Sequence, residues 1–222
     1  MDLNEYRKMI DEFASAKNLE KDPKKKKKQN DFETSLRKDL RSQEIQRKLE
    51  NLYNNKEFVG YICVASQFVE FKIKEIILQL QILAILLNKD FKPNENWERR
   101  ALGPLIIILE NNCIKDSALI KQLNDFKNLR NQAIHRLFDT TFEIKDVENE
   151  IEIKLTPSFF YYDVTASLDK YLYGITVKAF ETKDKMGQVS KETKITFEKL
   201  RKKMEEMNPN LKNEDIIKNI KI

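Results

Sequence analysis

The chain has 222 residues, 41 Lys+Arg against 36 Asp+Glu, a net charge of +5 and a single histidine. With only 4 Gly and 5 Pro it lacks the turn residues of an all-β sandwich, and 41% hydrophobic with 35% charged residues describes a folded, helix-rich chain rather than a disordered one. One histidine and two cysteines cannot supply a four-ligand Cys/His zinc site within one chain, so acid–base chemistry near neutral pH falls on His135.

Residues 2–18 place Leu3, Tyr6, Ile10 and Phe13 at helical spacing and predict a short amphipathic helix. The same stretch carries acidic residues and no apolar h-region, so it does not read as a secretory signal, and a cytoplasmic protein is expected. Asp22 and Pro23, followed by five consecutive lysines at 24–28, read as a solvated linker, with an auxiliary nucleic-acid contact as the alternative. From an N-cap at Asp31, the residues Phe32, Leu36, Leu40, Leu49, Leu52 and Tyr53 mark a second amphipathic helix. Its apolar seam thins over 41–48, so packing on one side is expected.

Residues 58–87 are apolar around most of a helix, which predicts a central position in a bundle. Glu70, Lys72, Lys74 and Glu75 interrupt the run and argue for a core helix, not a membrane span. Cys63 and Cys113 both sit in apolar helical patterns and read as buried, reduced thiols. A loop with Pro93 covers 88–97. Residues 99–111 form a third core segment, with Leu102, Leu105, Ile106 and Leu109 on one face and Pro104 in its first turn.

Asp116 or Ser117 caps the next helix, which runs to about Phe138 with Leu119, Ile120, Leu123, Phe126, Ala133 and Leu137 on its apolar face. Residues 141–155 fit a helix through Ile144, Val147, Ile151 and Leu155, and a strand through Ile151, Ile153 and Leu155; helix is favoured. Asp163 opens a helix to about Lys185, with Leu168, Leu172, Ile175 and Phe180 inward. Beyond Gly187 lies a lysine-rich tail with a helix at 193–207 and a short one near 215–220. Neither an internal repeat nor a Gly-rich phosphate loop nor a CxxC pair is present. The expected architecture is all-α: an N-terminal helical extension with a lysine-rich linker over 1–57, a helical bundle over 58–185, and a C-terminal helical tail over 186–222.

Arg130, Asn131 and His135 are the polar residues to explain on the fourth core helix. Asn131 and His135 lie one turn apart on one face, and Arg130, about 100° round from Asn131, reaches that region through its long side chain. Together they offer a permanent cation, an amide and an imidazole, a set suited to a phosphodiester: Arg forks phosphate oxygens and His moves protons. The competing reading is structural, a histidine hydrogen-bonded near a helix end and a solvated Arg–Asn face.

The run Arg130, Asn131, Gln132, Ala133, Ile134, His135 resembles the signature of the HEPN superfamily (higher eukaryotes and prokaryotes nucleotide-binding): Arg, a polar residue that is often Asn, three to five further residues, then His. The segment from Ala101 to Glu110 resembles the helix that precedes the motif helix in that superfamily, and the helix carrying Phe68, Glu70 and Lys74 resembles the one before it. The likeness covers roughly 55–185. It implies a HEPN-like bundle that dimerises with its motif helices facing, and a metal-independent ribonuclease in which the 2′-hydroxyl of the RNA attacks the adjacent phosphorus, leaving a cyclic phosphate and a free 5′-hydroxyl. Carried over, Arg130 binds the scissile phosphate, His135 is general base or acid, and Asn131 positions the phosphate or the histidine. The tyrosine found two residues after the histidine in one toxin subset is Leu137 here, so control by nucleotide transfer onto that residue is not expected.

Two further residues enter as supporting. Arg136 adds positive charge beside the motif or makes a surface salt bridge, and Glu70 orients Arg130 or joins an ordinary buried ion pair. No metal or cofactor is expected. With one histidine per chain, an acid and a base that are both histidines require two chains, so a homodimer with His135 near its axis follows. The leading expectation is an endoribonuclease acting on RNA, as a toxin or anti-phage defence effector. The alternative is a non-catalytic interaction module that binds a protein partner, such as an antitoxin or a larger defence complex, with long amphipathic helices at both ends as its support. Nucleotide binding without cleavage is a third reading.

Overall fold

The computed structural model describes residues 7, 8, 10–12, 23–91, 93, 96–137, 139, 141, 143–154, 164–207 and 220. The described residues are helical with turns between, and no strand occurs among them, as the composition predicts. The chain divides into two compact units, residues 1–64 and 65–222, with the division inside a continuous helix.

In the first unit, α1 is a 32-residue helix, Pro23–Asn54. The lysine run at 24–28 is therefore helical rather than a linker, and Asp31 lies inside the helix instead of capping it. The physical reason is local: Pro fits the first helical position, where its missing N–H is no loss, and Lys and Gln are good helix formers. Leu40 and Leu49 are buried, and no residue between them is, which matches the thinned seam. Ile10 is fully buried, and Arg7 and Arg37 pair with Glu44 (2.7 Å) and Asp11 (3.6 Å). The predicted partners of Ile10 (Leu3, Tyr6 and Phe13) and the side chains of Phe32 and Leu36 lie outside the described residues.

α1 ends in a paired turn: the Glu57 amide donates to the Leu52 carbonyl (2.8 Å) and the Lys56 amide to Tyr53 (3.0 Å), with Lys56 at φ 61°. The chain re-enters helix as α2, Phe58–Leu86. Tyr53 meets the rings of Phe58 and Tyr61 edge-on at 5.5 and 5.8 Å. A Cβ at Gly60 would lie 3.3 Å from Leu52 Cδ2, so glycine permits this close approach. Cys63 is exposed, against expectation, and only Cys113 is buried. An apolar run wider than the helix's contact surface leaves some of its members outside, and Cys63 is one of them.

In the second unit, α2 buries Phe68, Val69, Ile73, Ile76, Ile77, Leu80 and Leu83. It closes on Asn88 (φ 52°), with the Lys89 amide donating to the Ala84 carbonyl at 2.9 Å. Its interrupting charges are accommodated individually. Lys72 pairs with Asp169 at 2.6 Å and lies over the Phe68 ring at 5.2 Å. Trp97–Arg99 is a single 3-10 turn, and α3, Leu102–Ile108, follows with Pro104 in its first turn as expected. The helix widens into a π-turn at Leu109–Cys113, where the Ile114 amide reaches back to the Leu109 carbonyl.

α4 is Ser117–Leu137, α5 Ile144–Lys154, α6 Ala166–Lys185 and α7 Lys191–Met207. The ambiguous 141–155 stretch is thus helical over α5, with Val147 buried. Leu168 and Ile175 of α6 are buried as predicted, while Leu172 and Phe180 are half-buried. α6 turns into α7 at Gly187 (φ 69°), the Gln188 amide donating to Lys183 and the Gly187 amide to Asp184. The two helices are joined by Phe180 stacked on Phe197 (3.6 Å), Tyr173 donating to Glu205 (2.9 Å), and ion pairs Arg201–Glu181 and Lys194–Asp184. Asp163, Phe138 and the segment 215–219 lie outside the described residues; Ile220 bridges in antiparallel fashion to Ile114. No helix among the described residues is long and apolar enough to cross a membrane.

Candidate functional site

α4 begins where Asp116 accepts the Leu119 amide at 3.0 Å, which decides between the two predicted caps. The other carboxylate oxygen of Asp116 accepts the Tyr171 hydroxyl from α6 at 3.1 Å. Leu119, Ile120, Leu123, Phe126, Leu129 and Ala133 are buried, and Leu137 is half-buried. The helix is thereby fixed in rotation as well as in position, which determines where its polar residues point.

At about 100° per residue, Asn124, Lys127, Asn131 and His135 fall within an arc of roughly 80° along one edge of α4. Arg130 sits outside that arc, toward the buried face, and the structure shows the consequence. Its Nε is buried with no hydrogen-bond partner, while its Nη1 donates to Asn131 Oδ1 at 3.1 Å. The side chain thus runs from the core side of α4 toward the polar edge, as its length allows. No ion pair to Arg130 occurs among the described residues. The Asn131 amide oxygen is occupied by the guanidinium, so its nitrogen, a two-proton donor, is the group left for a ligand.

His135 is exposed, two residues before the end of α4, on the same edge as Asn131. Arg136 is half-buried, next in the chain but turned toward another side of the helix. Glu70 is not brought to Arg130. Its buried carboxylate accepts the Leu102 amide at 3.1 Å, at the start of α3. An amide left open at a helix start is a strong claimant for a buried carboxylate, and the sequence-based orienting role gives way to it. Two residues not singled out from sequence belong to the edge: Asn124 donates to the Ile120 carbonyl (3.1 Å) and accepts from Lys127 Nζ (2.8 Å). The signal was present in their spacing of seven and four from Asn131, which puts them on one helix edge.

The arrangement offers a guanidinium and an ammonium held by neutral amides, with an exposed imidazole beyond them. It is suited to binding an anion and shifting protons beside it. No group of three metal-ligating side chains occurs among the described residues. No protein-family model, curated protein or solved structure matches the chain.

Proposed function

We propose that this chain is a HEPN-type endoribonuclease that cleaves RNA without a metal, by attack of the 2′-hydroxyl on the adjacent phosphorus. The observation that carries the reading is the state of Arg130: a guanidinium with a buried, unpartnered Nε and, among the described residues, an amide and not a carboxylate on its Nη1. A structural arginine in this position would ordinarily be neutralised by Asp or Glu, since an uncompensated half-buried charge is costly. An anionic ligand resolves the deficit, and a phosphodiester matches the fork geometry.

In this reading Arg130 binds the scissile phosphate and stabilises the charge that builds on its oxygens, and Asn131 fixes the guanidinium while its own amide nitrogen donates to the phosphate. His135 removes the 2′-hydroxyl proton or protonates the leaving 5′-oxygen. One imidazole per chain fills only one of those roles at a time, so a second copy supplies the other and the working species is a homodimer with the two α4 helices facing. A toxin or anti-phage role, within a cytoplasmic setting, fits an RNA-cutting activity of this kind.

The test is incubation of the wild type and His135→Ala with total RNA, with and without EDTA. Cleavage by the wild type in both conditions, ending in cyclic phosphates, and none by the variant is the expected result. Equal cleavage by the variant would overturn the reading.

A second reading is favoured by a specific observation. Leu78 and Ile85, seven residues apart on α2, are 39% and 77% exposed, and Ile107 on α3 is 57% exposed. Apolar side chains at this spacing form one face of a helix, as in a module that binds a partner protein such as an antitoxin or a defence-complex subunit. Absence of RNA cleavage, with a stable complex lost on Ile85→Glu, would select it.

A further inference from the structure

The side-chain hydrogen bonds of Arg7, Lys72, Lys194 and Arg201 all end on carboxylates. On α4 the pattern differs: Lys127 is held by Asn124 at 2.8 Å and Arg130 by Asn131 at 3.1 Å. An amide oxygen orients a cation without cancelling its charge. Asn124 is itself locked, because its nitrogen donates to the Ile120 carbonyl at 3.1 Å, so its oxygen is committed to face Lys127. The lysine stem lies beside Gly103, with Cδ 3.6 Å from where a Cβ would stand. Lys127 is therefore half-buried and directed, unlike a freely solvated surface lysine.

Lys127 and Arg130 are three residues apart, so their Cβ atoms are about 5–6 Å apart on the helix surface. That separation suits two successive phosphates of a single strand, one on each cation. We propose that Lys127, positioned by Asn124, is a second phosphate-binding residue, which holds the phosphate next to the one at Arg130 and thereby sets the register of a single-stranded RNA along α4. The inference rests on the reading of Arg130 and His135 as an RNA-cleaving site, and it adds a subsite that the resemblance does not supply.

Binding is measured with the full-length chain carrying His135→Ala, which prevents cleavage, and a short labelled single-stranded RNA of mixed sequence over a range of salt concentrations. Each phosphate contact in a single strand contributes about 0.7 to the slope of log affinity against log salt. Adding Lys127→Gln is expected to lower the slope by about that amount and to weaken binding alike for every sequence, and Lys127→Arg to restore it. Asn124→Asp is the decisive variant. It keeps the lysine and the size of residue 124 but sets a carboxylate in place of the amide beside Nζ, giving up the amide's bond to the Ile120 carbonyl, so it is expected to lower the slope as Lys127→Gln does. Lys121→Gln, which removes an equally positive but exposed residue on another side of α4, is expected to leave the slope unchanged.

An unchanged slope in Lys127→Gln, or an equal fall in Lys121→Gln, overturns the proposal, even if the wild type cuts RNA. A fall confined to Lys127→Gln and Asn124→Asp supports the subsite, and separate failure of the wild type to cut RNA then removes only the nuclease reading. No binding of RNA by any form overturns both.

Discussion

Asp116 joins two helices through one carboxylate: Oδ1 accepts the Leu119 amide at 3.0 Å at the start of α4, and Oδ2 accepts the Tyr171 hydroxyl at 3.1 Å from α6. Loss of a helix cap costs about 1 kcal/mol, and loss of an acceptor by a buried hydroxyl costs about the same. Asp116→Ala is thus expected to lower stability by about 2 kcal/mol in urea unfolding, and Asp116→Asn by less, since it keeps an acceptor for the cap. Tyr171→Phe isolates the second contribution.

Glu70 supports the fold rather than the cation. Glu70→Gln retains an oxygen for the Leu102 amide at the start of α3, so RNA cleavage should stay within a few-fold of wild type. Glu70→Ala leaves a buried N–H without its acceptor and is expected to cost about 2 kcal/mol by chemical denaturation. A large drop in cleavage by Glu70→Gln with unchanged stability would return the residue to the site.

His135 is exposed in the last turn of α4, and substitution at such a position outside buried networks changes stability by at most about 1 kcal/mol. His135→Ala should therefore unfold at nearly the wild-type urea midpoint while cleavage is abolished. A shift of several kcal/mol would mark the histidine as structural.

Tyr173 is held protonated up to about 12, first by burial and then by its hydrogen bond to the Glu205 carboxylate. Because the folded pKa exceeds the ordinary value of 10.0, the stabilisation is complete below pH 10 and is lost as pH rises through the folded value. The α6–α7 contact is expected to weaken between about pH 10 and 12. Tyrosine ultraviolet titration should show a late-titrating component that is smaller by one ring in Tyr173→Phe, and the variant should lose less stability across that interval.

Gly187 stands at φ 69° with nothing within 4 Å of where a Cβ would lie. Gly187→Ala therefore meets no clash and registers only the backbone term, an expected loss of about 1 kcal/mol. Lys56 occupies the equivalent position after α1 at φ 61°, so Lys56→Gly is expected to gain part of that amount.

The amphipathic face of α4 was legible because Leu119, Leu123, Phe126 and Ala133 recur at steps of four, three and seven, and that periodicity alone fixes which way Asn131 and His135 face. The helicity of the lysine run was not, because a polar run with no apolar stripe reads the same whether it is solvated helix or solvated coil. Glu70 was misread for a different reason: its partner, the Leu102 amide, is a backbone group 32 residues away, and no side-chain pattern announces it. Lys127 and Asn124 were visible by spacing, yet only the locked amide distinguishes a directed lysine from an ordinary surface one.

The unpartnered Nε of Arg130 is a standing liability to the folded chain, of the order of 1–3 kcal/mol for a buried donor without an acceptor. Under the proposed function, fold stability and anion affinity pull this one side chain in opposite directions. Arg130→Met, which keeps the length and discards the donor, should melt higher than the wild type in the absence of any anion. The wild type should recover the difference only when an anion is present. A chain drifting toward a purely architectural role would therefore be expected to shed this arginine before it shed the histidine beyond it.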